Sequence, residues 1–491
     1  MIPLIVVENP KRWPFEIEGA EVVPARSYLV EPRYAELKRA AVFNMCRRYG
    51  YQSVGYYVSL LAAARGHRPL PSVATLQALS LSSLVRIASE GLDELIQKSL
   101  APLRSDDFRL SVYFGRNVAR RYDRLSRALW NQFPAPFLSA RFSRLEDGHW
   151  RMVAIRPLAA GDVPEPHLDF VLERAREYFL RPTRHAPRTQ EHRYDMAILL
   201  DPEDRHPPSN ERAIRRFVRA AARQGIGVET IGPDDIGRLA EFDALFIRTT
   251  TQVNRFTYRF ATRAAAEGLT VIDDPESIVR CSNKVYQAEL FDRHGIPCPK
   301  TLVVHEGNVT DVADIVGLPC VLKKPDGSFS SGVVKVSTDE ELSAALRNLF
   351  QESELVVAQE FAPSSFDWRV GVLDRHVLYV CRYYMAKGHW QIVQSDGKGA
   401  RSYGKVESVA VDDAPPAVVE AGLKAASLIG EGLYGVDLKE VDGRVVVMEV
   451  NDNPNLDAGY EDGILKDGLY DEVIRWFRVR LDRRGREGPA S

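Results

Sequence analysis

The stretch GVDLKEVDGRVVVMEVNDNPN (435–455) constrains this chain more than any other. Two apolar-rich runs flank Asp442-Gly443, the pattern of a β-hairpin. The hairpin carries three hard oxygen ligands, Asp437, Glu449 and Asn451, and the last two are spaced to share one face of a strand. Magnesium is usually held by one or two carboxylates together with substrate phosphates, so the trio points to a Mg²⁺–nucleotide site. Register sets a condition on it. A strict two-residue turn at Asp442-Gly443 would pair residue 437 with 448 and turn Asp437 away from Glu449. A three-residue loop (441–443), with Gly443 in the left-handed position, brings the two carboxylates together and is the expected turn.

The chain has 491 residues, which implies roughly three to four domains. Its net charge of −2 gives no reason to expect nucleic-acid binding. Cys46, Cys281, Cys298, Cys320 and Cys381 are scattered without a CxxC pair, which suits buried thiols in a reducing compartment. The opening MIPLIVVENPKRW has no positive region ahead of its apolar run and is expected to be a strand, not a signal peptide. No segment has the apolar length to span a bilayer. A cytoplasmic protein without membrane association is expected.

Strand and helix patterns alternate throughout, giving an α/β chain. An N-terminal α/β domain is expected over 1–180, with strands at Leu4–Val7 and Val22–Val30, a helix over 53–66 closed by Gly66, and a hairpin around Asp147-Gly148. The basic, proline-interrupted stretch 181–193 is the expected linker. A small parallel-sheet domain follows over 194–280, with strands at 195–201, 228–232 and 243–249. Its helix at 211–225 has the apolar stripe Ile214, Phe217, Val218 and Ala221. A third unit covers 281–483, and 484–491 is expected to be a flexible tail.

Three features of the third unit bear on phosphate. CVLKKPDGSFSSGVVKV (320–336) is a strand, a small-residue loop and a strand, and backbone N–H groups around Gly327 and Ser328 can approach anionic oxygens closely. The loop lacks P-loop spacing. Lys323 and Lys324 end the strand before it, and alternation sends at most one of them into a site. ELVVAQEF (354–361) is a buried-looking strand whose end could present a backbone edge to an adenine.

In this order the features resemble the RimK-like ligases of the ATP-grasp superfamily over about residues 190–480. The resemblance implies a small pre-ATP-grasp domain at 194–280 and an ATP-grasp fold at 281–483. CSNKVYQAELFDRHGIPCP (281–299) resembles the opening segment, with Lys284 as its lysine, and the phosphate-lysine strand selects Lys323. Gln359, Glu360 and Phe361 match the adenine hinge, Asp367 the nucleotide-binding Asp, and Arg369 the adjacent cation. Asp437, Glu449 and Asn451 match the metal triad at the family's spacing.

The resemblance implies an enzyme that uses ATP and Mg²⁺, with Mn²⁺ a second candidate metal, to join a carboxylate to an amine through an acylphosphate. Lys284 and Lys323 would bind the α- and β-phosphates, and the 326–332 loop would close over the γ-phosphate. Arg369 and Arg382 are candidates for holding the acyl phosphate or a substrate carboxylate, with a strand-surface charge the alternative for Arg382. Asn455 would touch the amine substrate or cap a turn. Glutamate-adding members carry an arginine about where Gln391 stands, which puts glutamate specificity in doubt; Arg401 and Lys405 are the nearby cations. The region 44–72 resembles the extra domain ahead of some RimK-like ligases, where a protein or peptide substrate, or a second copy of the chain, would bind. The expected substrates are an amino acid, a peptide or a protein terminus. The competing reading is a nucleotide-gated binding protein without turnover.

Overall fold

A computed structural model describes the chain except for residues 1, 14, 16, 18, 38–39, 180–191, 327–332, 386–392, 396–400 and 488–491. The chain forms two compact units. The first is built from Met1–Thr189, Asp234–Asp243 and Leu481–Ser491. Strands β1 (Ile2–Val7), β2 (Glu21–Pro24), β3 (Ala40–Asn44) and β4 (Arg68–Leu70) form a parallel sheet in the order β2-β1-β3-β4. The unbroken apolar run of β1 fits a sheet covered on both faces. Leu4 and Val6 pack against Tyr28 and Val58, whereas Ile5 and Val7 pack with Phe15 and Phe137. The strand expected over Val22–Val30 ends at Pro24, and Ala25–Val30 is helical. Pro24 has no N–H to extend the ladder, and its fixed φ suits the entry to a helix. The helix Val54–Ala64 is capped by the Ser53 hydroxyl, and Gly66 follows it at φ +69°. Strands β5 (Asp107–Tyr113), β6 (Phe137–Arg144) and β7 (Trp150–Pro157) form an antiparallel sheet, with the hairpin expected at Asp147-Gly148 between the last two.

The second unit holds Gln190–Pro233 and Ala244–Arg480. Residues 234–243, expected inside the small parallel-sheet domain, group with the first unit instead. The expected linker at 181–193 lies outside the described residues except for His192 and Arg193. Strands β8 (Tyr194–Leu199), β9 (Ile226–Ile231), β10 (Ala244–Ile247) and β11 (Thr270–Ile272) are parallel, ordered β11-β10-β8-β9. The helix Glu211–Arg223 buries Ala213, Phe217, Ala220 and Ala221, a stripe rotated slightly from the one expected.

Strands β12 (Thr301–Val304), β13 (Cys320–Lys323), β14 (Val333–Val336) and β15 (Val356–Glu360) form an antiparallel sheet ordered β12-β15-β13-β14. Strands β16 (Phe366–Leu373), β17 (His376–Tyr384), β18 (Val393–Ser395), β19 (Arg401–Tyr403), β20 (Val406–Val409), β21 (Leu433–Val441) and β22 (Arg444–Asp452) complete the unit. Of these, β18 and β19 pair with each other, and the rest form a sheet ordered β20-β17-β16-β21-β22. The helix Pro416–Ile429 covers one face of that sheet, packing Val418, Ala425 and Ile429 with Val370, Val436 and Val450. The final helix, Asp467–Glu487, continues past the expected tail boundary at 484. Among the described residues no helix is long and apolar enough to cross a membrane.

The hairpin turn differs from the expected one. Val441 pairs directly with Arg444, and Asp442 (φ +50°) and Gly443 (φ +72°) make a two-residue turn, the geometry that Asp-Gly favours. A β-bulge corrects the register instead. Leu438 pairs with Val447 and Asp437 with Glu449, so Met448 is the extra residue.

Candidate active site

The face of the five-stranded sheet opposite the helix Pro416–Ile429 gathers the charged residues. Asp437 lies across from Glu449 on β22 and from Arg369 on β16, and Asn451 lies across from Gly435. Arg369 grips Asp437 bidentately, Nε donating to Oδ1 at 2.6 Å and Nη2 to Oδ2 at 2.8 Å. Asn451 Nδ2 donates to Asp437 Oδ2 at 3.1 Å. Burial pushes the Asp437 carboxyl above its ordinary range, against the pull of Arg369. A Cβ at Gly435 would meet the Pro454 ring at 2.7 Å and Arg369 Cδ at 3.2 Å, so only glycine leaves this approach open.

The lysines come in from the neighbouring elements. Asn283 caps the helix Lys284–Arg293, and Lys284 Nζ stands 3.5 Å from Glu449 Oε2. Burial alone would raise the Glu449 carboxyl; Lys284, Lys323 and Arg369 outweigh it and hold the group below its usual value. Lys323 and Lys324 point apart, as strand alternation requires. Lys323 Nζ donates to Gln359 Oε1 at 2.7 Å, whereas Lys324 pairs with Glu352. Burial lowers the Lys323 ammonium to about 8; Glu449 opposes the shift, and Lys284 and Lys439 add to it. Gln359 is buried and donates to Thr301 Oγ1 at 3.0 Å, Glu360 is exposed, and the Phe361 ring lies under Lys335 Nζ at 3.8 Å. Asp367 accepts from Ser364 Oγ at 2.9 Å and pairs with Lys439.

The arrangement suits a metal held partly by its ligand. Two carboxylates and an amide share one face, ringed by cations that phosphate oxygens would engage. Among the described residues no cluster of three or more His, Cys, Asp or Glu could hold a metal by itself. Residues 281–468 match the family model of the RimK-like ATP-grasp domain, and residues 25–174 match that of the RimK-like ATPgrasp N-terminal domain. The chain belongs to the RimK-like ATP-grasp family.

A probable alpha-L-glutamate ligase of Vibrio vulnificus is 26% identical over 242 residues, 48% of this chain and 77% of that protein. The alpha-aminoadipate–LysW ligase LysX of Saccharolobus solfataricus is 28% identical over 196 residues, 38% of this chain and 67% of its own length. Among solved structures, the RimK domain protein ATP-grasp from Sphaerobacter thermophilus is similar at a TM-score of 0.44 and 18% identity, covering 57% of this chain and 98% of that one.

Not every expected residue reaches the RimK-like site. Arg382 pairs across the ladder with Trp368, on the face opposite Arg369. Its guanidinium lies over the Trp368 ring at 4.7 Å and the Phe366 ring at 5.3 Å, so it takes the strand-surface alternative and not the substrate-facing one. The cause is a bulge at Gly371/Val372, which shifts β17 by one residue. The Asn455 carbonyl accepts from the Tyr379 hydroxyl at 3.1 Å. Gly327, Ser328 and Gln391 lie outside the described residues, as does the side chain of Arg401.

Two residues escaped the sequence reading. Lys439 stands two past Asp437, so the alternation that joined Glu449 to Asn451 could have found it. Arg248, at the end of β10, is fully buried. It donates to Asn453 Oδ1 at 2.7 Å, to the Pro454 carbonyl at 2.9 Å and to Ser209 Oγ at 3.0 Å, fastening the chain that leaves β22. Its partners are distant in sequence, and no local pattern announces them.

Proposed function

We infer that this protein is an ATP-dependent carboxylate–amine ligase that forms an amide bond, with an amino acid, a peptide or a protein terminus among its substrates. Asp437, Glu449 and Asn451 would hold Mg²⁺, which when bound supplies positive charge against the nucleotide phosphates. The observation that carries the reading is the shared face of these three residues with Arg369 and Lys284 already paired to the two carboxylates. In this reading each cation would pass from its carboxylate to a phosphate oxygen. Lys284 and Lys323 would take nucleotide phosphates, and Gln359, Glu360 and Phe361 would border the base. Phosphoryl transfer asks mainly for such positioning and charge neutralisation.

In the reaction proposed, a substrate carboxylate oxygen attacks the γ-phosphorus and the bond to the β-phosphate oxygen breaks, releasing ADP. An amine nitrogen then attacks the acyl carbon, loses a proton and expels phosphate. Arg369 would hold the acyl phosphate or the substrate carboxylate. The relatives are named for glutamate and for alpha-aminoadipate with LysW, which supports an amino acid or a carrier peptide on one side of the bond. The five unpaired cysteines support a reducing cytoplasm as the compartment. Incubation with ATP, Mg²⁺ and pooled amino acids, peptides and cell extract should give phosphate release that depends on an added pool. Asp437→Ala and Glu449→Ala should abolish it, and turnover unchanged in those variants would sink the metal assignment.

A further inference from the structure

The antiparallel sheet β5-β6-β7 of the first unit buries one face and leaves much of the other open. Leu110, Val112, Leu138, Ala140, Phe142 and Trp150 fill a core on the buried face. On the other face Arg109, Arg141, Arg151 and Arg156 are all exposed. The register gathers them. Asp107, Ser143 and Arg151 form one row, Arg109, Arg141 and Ala154 the next, and Ser111, Ser139 and Arg156 a third. A bulge opposite Arg141 and Phe142 leaves Val153 exposed beside them. Residues 107–157 hold ten arginines, no lysine and four acids, in a chain whose 65 basic and 67 acidic residues otherwise balance. Among the described residues only Arg141 of the four has an ion-pair partner. Its Nε and Nη2 donate to Asp107 Oδ1 at 3.2 and 3.1 Å, and Ser143 Oγ donates to the same oxygen at 2.8 Å.

Arg109 and Arg141 stand directly opposite each other, and like charges so placed cost a sheet stability. A carboxylate between them removes that cost, and guanidinium forks match carboxylates in a way that an ammonium does not. The four arginines span three strands, about 10 Å, and the run 151–156 of β7, about 16 Å. That footprint is too broad for one small anion and corresponds to about five residues of extended peptide. A nucleic acid suits it less well. The aromatic side chains of these strands, Phe108, Phe142 and Trp150 among them, pack into the core and offer bases nothing to stack on, and Asp107 would repel phosphates. We propose that this face docks an extended acidic segment of another polypeptide, with Arg109, Arg141, Arg151 and Arg156 taking its carboxylates. The surface belongs wholly to the first unit, so its test does not depend on the ATP reading.

Fluorescence anisotropy of the full chain tests it with three labelled probes: a twelve-residue peptide of alternating Glu and Ser, its Gln counterpart, and a heptauridylate carrying the same six charges. The wild type should bind the acidic peptide more tightly than either of the others. Arg109→Ser, Arg151→Ser and Arg156→Ser together should weaken that binding about tenfold, the combined worth of three exposed ion pairs. The same loss of charge elsewhere, through Arg215→Ser, Arg219→Ser and Arg223→Ser on the helix Glu211–Arg223, should leave it nearly unchanged. No binding of the acidic peptide by the wild type, equal binding of the Gln peptide, equal losses in the two triple variants, or tighter binding of the uridylate would each overturn the inference. If the first triple variant does not fold, Arg151→Glu alone should weaken the acidic peptide about threefold; an unchanged affinity counts against the proposal.

Discussion

Arg369 and Asp437 are each other's main partners in a sheltered place, and that sets what their removal does. Breaking a buried pair strands one charge, so Arg369→Met should cost about 3–5 kcal/mol of stability. Adding Asp437→Asn should recover part of it, because the stranded charge is then gone. Denaturant midpoints of the two variants check both statements, and equal midpoints would contradict them. Glu461 makes a pH-dependent contribution of its own. Its Oε2 accepts from the Asp457 N–H at 2.7 Å, its Oε1 accepts from the Tyr383 hydroxyl, and burial pushes it up from 4.5 to about 7. Between those values the folded chain holds a proton that the unfolded chain has lost. Stability from this group is therefore complete below pH 4.5, falls by about 3 kcal/mol as pH rises to 7, and is level above. Glu461→Gln keeps an acceptor for Tyr383 and should remove that fall. Midpoints at pH 5 and pH 8 should differ less in the variant than in the wild type; an equal difference would refute the assignment.

At the scale of elements, turns were legible and bulges were not. Asp442-Gly443 announces its own geometry, since Asp and Gly tolerate positive φ, yet a turn that alone brought Asp437 round would need a longer loop. The protein keeps the short turn and inserts Met448. Across β16 and β17 the same device acts the other way. Asp374 (φ +52°) and Arg375 (φ +62°) form a short turn, which without a bulge would place Arg382 opposite Asp367. The bulge puts it opposite Trp368 and out of the site. A bulge depends on packing along the whole strand, and no residue type marks it, so which face a distant strand residue occupies could not be read locally. Residues two positions apart on one strand, such as Glu449 and Asn451, need no distant bulge to be placed on one face. Two outcomes follow. Gly443→Ala should cost about 1 kcal/mol through backbone strain alone, because a Cβ there meets no atom within 4 Å; a thermal melt unchanged from wild type would refute it. Arg382→Met should leave Mg–ATP affinity as it was, whereas Arg369→Met should lose it; equal losses would return Arg382 to the site.

For the whole molecule, the α/β class and the ATP-grasp fold followed from ordered motifs, each of which says little by itself. The placement of 234–243 with the first unit was out of reach, because it depends on contacts and not on composition. The chemistry of the first unit has no motif to carry it, although residues 25–174 match the N-terminal domain model. The central claim concerns the second unit, where a carboxylate is activated by ATP and then joined to an amine. With the substrate pair found by phosphate release, the carboxylate can be labelled with ¹⁸O and the released phosphate weighed. An acylphosphate route carries one carboxylate oxygen into that phosphate, so the account predicts one ¹⁸O per phosphate, an amide product, and neither from the Asp437→Ala protein. Unlabelled phosphate formed alongside the amide would contradict the acylphosphate, and a chain that binds ATP but turns over with no pool would contradict the ligase.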